Sequence, residues 1–193
     1  MSQNLSPINE IHIEQQGALL SLRMNRPERK NALTHAMYTA LHEGLVRARD
    51  DKSVRVVVLT GTSGCFSAGN DMQDFLQHPP QGADSPVMRF LSELMNFPKP
   101  IVAAVEGVAV GVGTTILLHC DLVYVASSAR LKLPFVNLGL CPEAGSSFIL
   151  PALMGHQRAA ELLLLGDMID GKKAVELGLA NALAEDCVAQ AQQ

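Results

Sequence analysis

The sequence predicts an α/β fold whose ligand site lies in loops leaving the ends of buried strands. Three observations carry that expectation. Residues 54–59 and 101–105 are nearly continuous apolar runs, the mark of strands covered on both faces. Segments of helical period separate such runs. Each run also leads into a loop of small residues, where backbone can come close to a ligand.

Taken in order, residues 11–14 and 18–22 read as a β-hairpin turning at Gly17, ended by Asn25-Arg26-Pro27. Thr34 is placed to cap a helix running to about Asp50, with Met37, Tyr38, Leu41, Leu45 and Ala48 on one face. Residues 54–59 form a strand and residues 61–74 a Gly- and Ser-rich loop. Ser85-Pro86 starts a helix that Phe97-Pro98-Lys99-Pro100 stops. The pattern then repeats: a strand over 101–105, a small-residue loop over 107–113, a short apolar helix over 114–120, and strands over 122–126 and 131–134. From Glu143 onward the chain reads as helical, most clearly over 159–165 and 172–177. No linker or low-complexity segment interrupts the chain, so residues 1–193 are expected to form a single domain.

Composition narrows the function classes. Hydrophobic residues make up 48% of 193 residues and charged ones 18%, which is globular rather than disordered. A net charge of −4 argues against a nucleic-acid partner. No apolar run approaches the roughly 20 residues that span a bilayer, and residues 1–7 show no basic-then-apolar targeting pattern. Cys65, Cys120, Cys141 and Cys187 are scattered without a C-x-x-C pair, as expected of reduced thiols in a cytoplasmic protein. No His/Asp/Glu spacing suggests a metal.

Two loops carry the chemistry. In Cys65-Phe66-Ser67-Ala68-Gly69-Asn70-Asp71-Met72, small residues follow a buried strand, and an amide freed from strand pairing at Ala68 is available as a donor. The second loop runs from Gly107 to Thr115 and enters a helix, whose N-terminus presents unpaired amides suited to an anion. Its spacing is not G-x-G-x-x-G, and no ribose-binding acid follows about 20 residues on, so a dinucleotide is not expected.

Together, Phe66-Ser67-Ala68-Gly69-Asn70-Asp71, then Ala103-Ala104-Val105-Glu106-Gly107-Val108-Ala109-Val110-Gly111-Val112-Gly113, then Asp121-Leu122-Val123 resemble the crotonase superfamily over residues 11–183. The resemblance implies a spiral of ββα units. It implies that the amides matching Ala68 and Val112 polarise an acyl-CoA thioester carbonyl and hold the enolate formed from it, and that Lys30, Ala32, Ser67, Gly69, Asn70, Asp71, Met72 and Gly111 contact the CoA ester. CoA is then the handle of the substrate, with no separate cofactor. It also implies a homotrimer or dimer of trimers. Family members carry a further C-terminal helical segment, so this chain is expected to be C-terminally short.

The family's hydratases use two glutamates, at positions that here are Thr115 and Phe135. Neither is a carboxylate. Instead Leu138-Gly139-Leu140-Cys141-Pro142-Glu143-Ala144-Gly145-Ser146-Ser147 resembles the Δ3,Δ2-enoyl-CoA isomerase branch, which makes Glu143 the expected single acid/base. Apolar neighbours such as Phe135, Leu138, Leu140 and Phe148 are expected to raise its pKa by desolvation. The alternative for Glu143 is an acid favoured by a helix N-terminus. At the level of function the alternatives are another crotonase reaction such as hydration, or a non-catalytic acyl-CoA-binding or assembly protein. Asp71 either contacts CoA or caps its turn. His119 beside Asp121 invites a triad, but no G-x-S-x-G accompanies it, which favours a structural histidine. Cys65 and Cys141 flank the proposed site without a histidine partner, so both are expected to be buried thiols, and Ser146 and Ser147 either line the acyl pocket or bond within a helix's first turn.

Overall fold

A computed structural model describes residues 5–193. The absence of a targeting pattern expected over residues 1–7 therefore falls partly outside the described residues. The predicted hairpin forms as β1 (Ile11–Gln16) and β2 (Leu19–Met24), paired antiparallel. Ile11, Ile13, Leu20, Leu22 and Met24 alternate into the core, and Ser21 is buried on the opposite face of β2. Helix α1 (His35–Asp50) begins where expected, and the Thr34 hydroxyl accepts the Met37 N–H. Its buried face includes Met37, Tyr38, Leu41, Leu45 and Ala48. Truncating one such leucine to alanine costs about 2–5 kcal/mol.

Strand β3 (Val56–Gly61) pairs parallel to β2. After it come α2 (Met72–Gln77), α3 (Pro86–Met95) and β4 (Ile101–Val105), the last parallel to β3. Helix α2 lies partly within the segment read as an unbroken loop. It is a six-residue helix with no buried residue, so its pattern carries no hydrophobic period, and it is held by the Asp71 cap. The second loop contains a short strand, β5 (Val108–Val110), before α4 (Val112–Thr115) and a 3-10 turn to His119. Strands β6 (Leu122–Val125) and β7 (Arg130–Lys132) follow. The remainder is α5 (Ser146–Met154), α6 (His156–Ala160) running into a π turn to Leu165, β8 (Ile169–Asp170), α7 (Gly171–Glu176), β9 (Ala182–Leu183) and α8 (Cys187–Gln192).

The main sheet has the order β1-β2-β3-β4-β6-β9, and a smaller sheet has the order β5-β7-β8. This is the mixed α/β architecture that the sequence predicts. The continuous apolar runs are explained by two cores. Val57, Leu59, Ile101, Ala103 and Val105 pack into the large cluster with α1 and α3, while Val58, Val102 and Ala104 pack with Cys187 and Ala191 of α8. The two-residue strands β8 and β9 were too short to leave a period in the sequence. Among the described residues no helix is long and apolar enough to cross a membrane.

Candidate active site

The two small-residue loops lie against each other as backbone neighbours. Ser67 bridges Ala109: the Ser67 N–H donates to the Val108 carbonyl and the Val110 N–H to the Ser67 carbonyl, both at 2.9 Å. The contact is so close that a Cβ at Gly69 would stand 2.6 Å from the Val110 oxygen, and one at Gly113 would stand 2.7 Å from the Ser67 oxygen. Gly69 also has φ +92°, a region that side chains rarely enter.

The pairing decides which amides are free. The Ala68 N–H donates to the Lys30 carbonyl at 2.9 Å, so the expectation that Ala68 offers an open donor does not hold. The chain alternates here. Leu33 takes the Gly69 carbonyl and gives its own to the Asp71 N–H, which leaves the intervening Asn70 amide pointing away from that pairing. Among the described residues the Asn70 N–H donates to no group. Nor does the Val112 N–H, which opens α4 and so has no partner within the helix. Both residues line one cleft of about 640 Å³, counted with its open mouth, together with Ala68, Gly69, Gly111 and an apolar wall. Met72, Phe75, Phe135, Leu138 and Leu140 supply that wall. Two unengaged amides at an apolar cleft can hold a developing negative charge far better than they could in water.

Asn31 fixes the first loop, and no sequence signal singled it out. It is fully buried at φ +55°, a conformation asparagine tolerates better than most residues. Its Oδ1 accepts the Arg26 N–H at 2.8 Å, its Nδ2 donates to the Cys65 carbonyl at 2.6 Å, and its own carbonyl accepts the Ser67 hydroxyl at 2.9 Å. Ser67 is therefore a buried strut rather than a ligand contact.

Glu143 is not in a helix. Ala144 and Gly145 follow it with φ of +51° and +66°, and α5 starts only at Ser146. The reading of Glu143 as a first-turn acid is thereby removed. The turn is held by Ser146, whose N–H and hydroxyl both donate to the Glu143 carbonyl, and by the His119 ring against the Ala144 carbonyl at 2.8 Å. A non-glycine residue at positive φ costs about 1–3 kcal/mol and persists only where its surroundings over-determine it. The carboxylate itself is half-buried. Its Oε1 accepts the Thr115 hydroxyl at 2.5 Å, and its Oε2 accepts from no group among the described residues. Burial pushes its pKa above the usual carboxylate value, and the Thr115 hydrogen bond works in the opposite direction.

Glu143 is bonded to the second loop and acts on the first only through the electrostatics of Tyr38. Thr115 reaches it from the α4 turn that carries Val112. On the other side the Tyr38 hydroxyl donates to Asn70 Oδ1 at 2.5 Å, and burial together with the negative Glu143 raises the Tyr38 pKa well above the ordinary phenol value.

The remaining expected residues sort by their contacts. Asp71 caps α2 by accepting the Gln73 and Asp74 amides and pairs with Arg26 at 2.7 Å, a bond that holds its pKa low, so its carboxylate is engaged. Arg26 also bonds the Ala32 carbonyl. The Lys30 side chain is exposed, while its carbonyl receives Ala68 and Cys65. Met72 is exposed along the cleft. The Gly111 N–H donates to Lys132, which sets the entry to α4. His119 and Asp121 do not pair: Asp121 accepts the Ile101 N–H at 2.8 Å. Cys65 is half-buried, and burial pushes its thiol up, whereas Cys141 is exposed on the loop before Glu143, so the expectation of a buried thiol does not hold there. Ser147 is exposed outside the cleft lining.

Fold and site together define a class, and the comparisons agree. The chain belongs to the enoyl-CoA hydratase/isomerase family, whose sequence profile matches residues 14–192. It is 36% identical over 182 residues to 1,2-epoxyphenylacetyl-CoA isomerase of Escherichia coli (strain K12), spanning 91% of this chain and 69% of that protein. It is 35% identical over 175 residues to enoyl-CoA delta isomerase 2 of Rattus norvegicus, covering 88% of this chain and 44% of that one. Another relative, 33% identical, is 2,3-dehydroadipyl-CoA hydratase of Escherichia coli (strain K12), matched over 90% of this chain and 69% of that protein. The solved structure of Pseudomonas aeruginosa OdaA superposes with a TM-score of 0.93 at 55% identity, covering 96% of this chain and 76% of that chain. The chain thus spans less than half of the rat isomerase and about two thirds of the two bacterial relatives.

Proposed function

We propose that this chain carries a Δ3,Δ2-enoyl-CoA isomerase site, with Glu143 as the single acid/base and the amides of Asn70 and Val112 holding the thioester oxyanion. The observation that carries this reading is one half-buried carboxylate, with a free Oε2, joined through Thr115 to the turn bearing the Val112 amide. Glu143 Oε2 takes a proton from C2 of a 3-enoyl-CoA. The released electron pair makes C1=C2, and the carbonyl oxygen becomes the oxyanion. The dienolate then collapses: the oxyanion reforms C=O, C2=C3 forms, and the former C3=C4 pair takes the proton back from Glu143 at C4. No atom is gained or lost.

A raised pKa suits this exchange, because a base that must return its proton works best when its affinity lies near the working pH. Water addition needs a second group to orient the water. Thr115 and Phe135, both buried, offer none as carboxylates. CoA serves as the handle of the substrate. Assembly into a homotrimer belongs to the same reading, and Phe148, Leu164 and Leu165 offer the exposed apolar surface that a subunit contact covers. Light scattering on the eluted protein reads that number directly.

The test is incubation with 3-enoyl-CoA, following conjugation of the double bond with the thioester. Turnover is expected, with a loss of about a thousandfold in Glu143→Gln. Activity that survives that change overturns the role of Glu143. Faster water addition to 2-enoyl-CoA establishes a hydratase instead, and CoA-ester binding without turnover at any chain length establishes a binding protein.

A further inference from the structure

Away from the oxyanion amides, two imidazoles converge on one carboxylate. His35 opens α1, while Asp74 and His78 stand one turn apart on α2 and its C-cap. His35 Nδ1 lies 2.8 Å from Asp74 Oδ2, and His78 Nδ1 lies 3.3 Å from Asp74 Oδ1, with the two rings edge-on at 5.5 Å. The three atoms able to bind an ion all fall within 4.8 Å of one another.

The carboxylate is positioned independently of the rings, because the His35 backbone N–H also donates to Asp74 Oδ2 at 2.8 Å. Among the described residues no lysine or arginine stands within ion-pair distance of Asp74. Among the described residues its side-chain partners are the two imidazoles, each a nitrogen donor type that transition metals accept.

We propose that His35, Asp74 and His78 bind a divalent transition metal of the zinc class, with solvent completing the coordination shell. Two imidazoles and one carboxylate are a donor set for Zn2+ rather than for Ca2+ or Mg2+, which take oxygen ligands. Tetrahedral Zn2+ with bonds of about 2.0–2.1 Å separates its ligand atoms by about 3.4 Å. The two imidazoles now meet different oxygens of Asp74, at 2.8 and 3.3 Å, within a triad spanning at most 4.8 Å, so binding draws the set onto one ion, with each Nδ1 ligating as the neutral, unprotonated nitrogen and any proton it carries released to solvent.

The site has a consequence for the cleft. Helix α2 carries Met72 and Phe75, part of the apolar wall, and follows directly on the Asn70 amide. A metal tying α2 to the start of α1 stiffens that wall without entering the chemistry. No sequence spacing announced the site, because His35 and Asp74 are 39 residues apart and only Asp74 and His78 share a helical turn.

The test uses the chelator-stripped full chain, titrated with Zn2+ by calorimetry and with Co2+ by absorption. One ion per chain is expected, with at least tenfold weaker binding in His35→Gln and in His78→Gln, each checked for unchanged circular dichroism. Co2+ should give tetrahedral d–d bands without a thiolate charge-transfer band. No saturable binding, affinity unchanged in both variants, or a thiolate band assigning the ion to cysteine each overturns the proposal. None of these readouts depends on turnover, so failure here leaves the isomerase reading untouched, and the reverse also holds.

Discussion

The Thr115 hydroxyl donates to Glu143 Oε1 at 2.5 Å across 28 residues of chain. That bond stabilises the charged carboxylate, whereas burial destabilises it, and burial is the larger of the two. A base of this kind is inactive when protonated. Activity is therefore expected to fall as pH drops through the Glu143 pKa, along a limb lying above the usual carboxylate range. Thr115→Val removes the donor and keeps the shape. The pKa then rises further, and the acid limb of kcat/KM moves to higher pH. The pH profile of 3-enoyl-CoA conjugation checks it, and a limb that stays or moves down contradicts it.

Glu143→Gln tests the same burial through stability. An acid whose folded pKa is raised binds more protons when native, so its neutral form is favoured in the fold. Wild-type stability from this group is fully present below the unfolded value and is lost as pH rises through the folded value. Glutamine has no such loss. The variant is expected to gain about 1 kcal/mol at neutral pH, or about 2–4 °C in Tm, while turnover falls about a thousandfold. The difference in Tm between variant and wild type should shrink when both are melted near pH 4.

Gly69→Ala separates a tight contact from a mere turn. The new Cβ meets the Val110 oxygen at 2.6 Å with φ at +92°, whereas at Gly64 (φ +62°) it meets nothing within 4 Å. Gly69→Ala should cost about 3 kcal/mol and reduce kcat/KM about a hundredfold, because it pushes apart the loops that carry Asn70 and Val112. Gly64→Ala should cost about 1 kcal/mol and leave kcat/KM alone. Urea titration and steady-state kinetics on the pair give both numbers.

The legible parts of this protein are those that a local pattern controls. The Thr34 cap, the buried face of α1 and the doubly covered strands β3 and β4 follow from period and composition, and they stand within two residues of their expected bounds. The two loops and Glu143 were legible as residues but not as a mechanism of support. Nothing local marks Asn31 as the bolt of the first loop, because its partners Cys65 and Thr62 lie over 30 residues away. Nor does the sequence reveal that Ala144 and Gly145 turn left-handed and so keep Glu143 out of α5.

The clearest miss concerns which amide of the first loop is open, and it yields the sharpest test. Small residues at 67–69 made Ala68 the natural choice, but whether an N–H is free depends on what stands opposite it. The Lys30 carbonyl accepts the Ala68 N–H, whereas among the described residues no group accepts the Asn70 N–H, because Leu33 pairs with Gly69 and Asp71 on either side of it. In a 15N-resolved spectrum, adding a non-reactive acyl-CoA should move the Asn70 and Val112 amide protons downfield, as new charge-assisted or carbonyl hydrogen bonds form. The Ala68 proton, already bonded at 2.9 Å, should barely respond. A large shift at Ala68 with none at Asn70 would mean that ligand binding breaks the Lys30 contact and that the loop rearranges. Exchange with solvent supplies the independent check: in the free protein Ala68 should be protected, with Asn70 and Val112 exchanging faster.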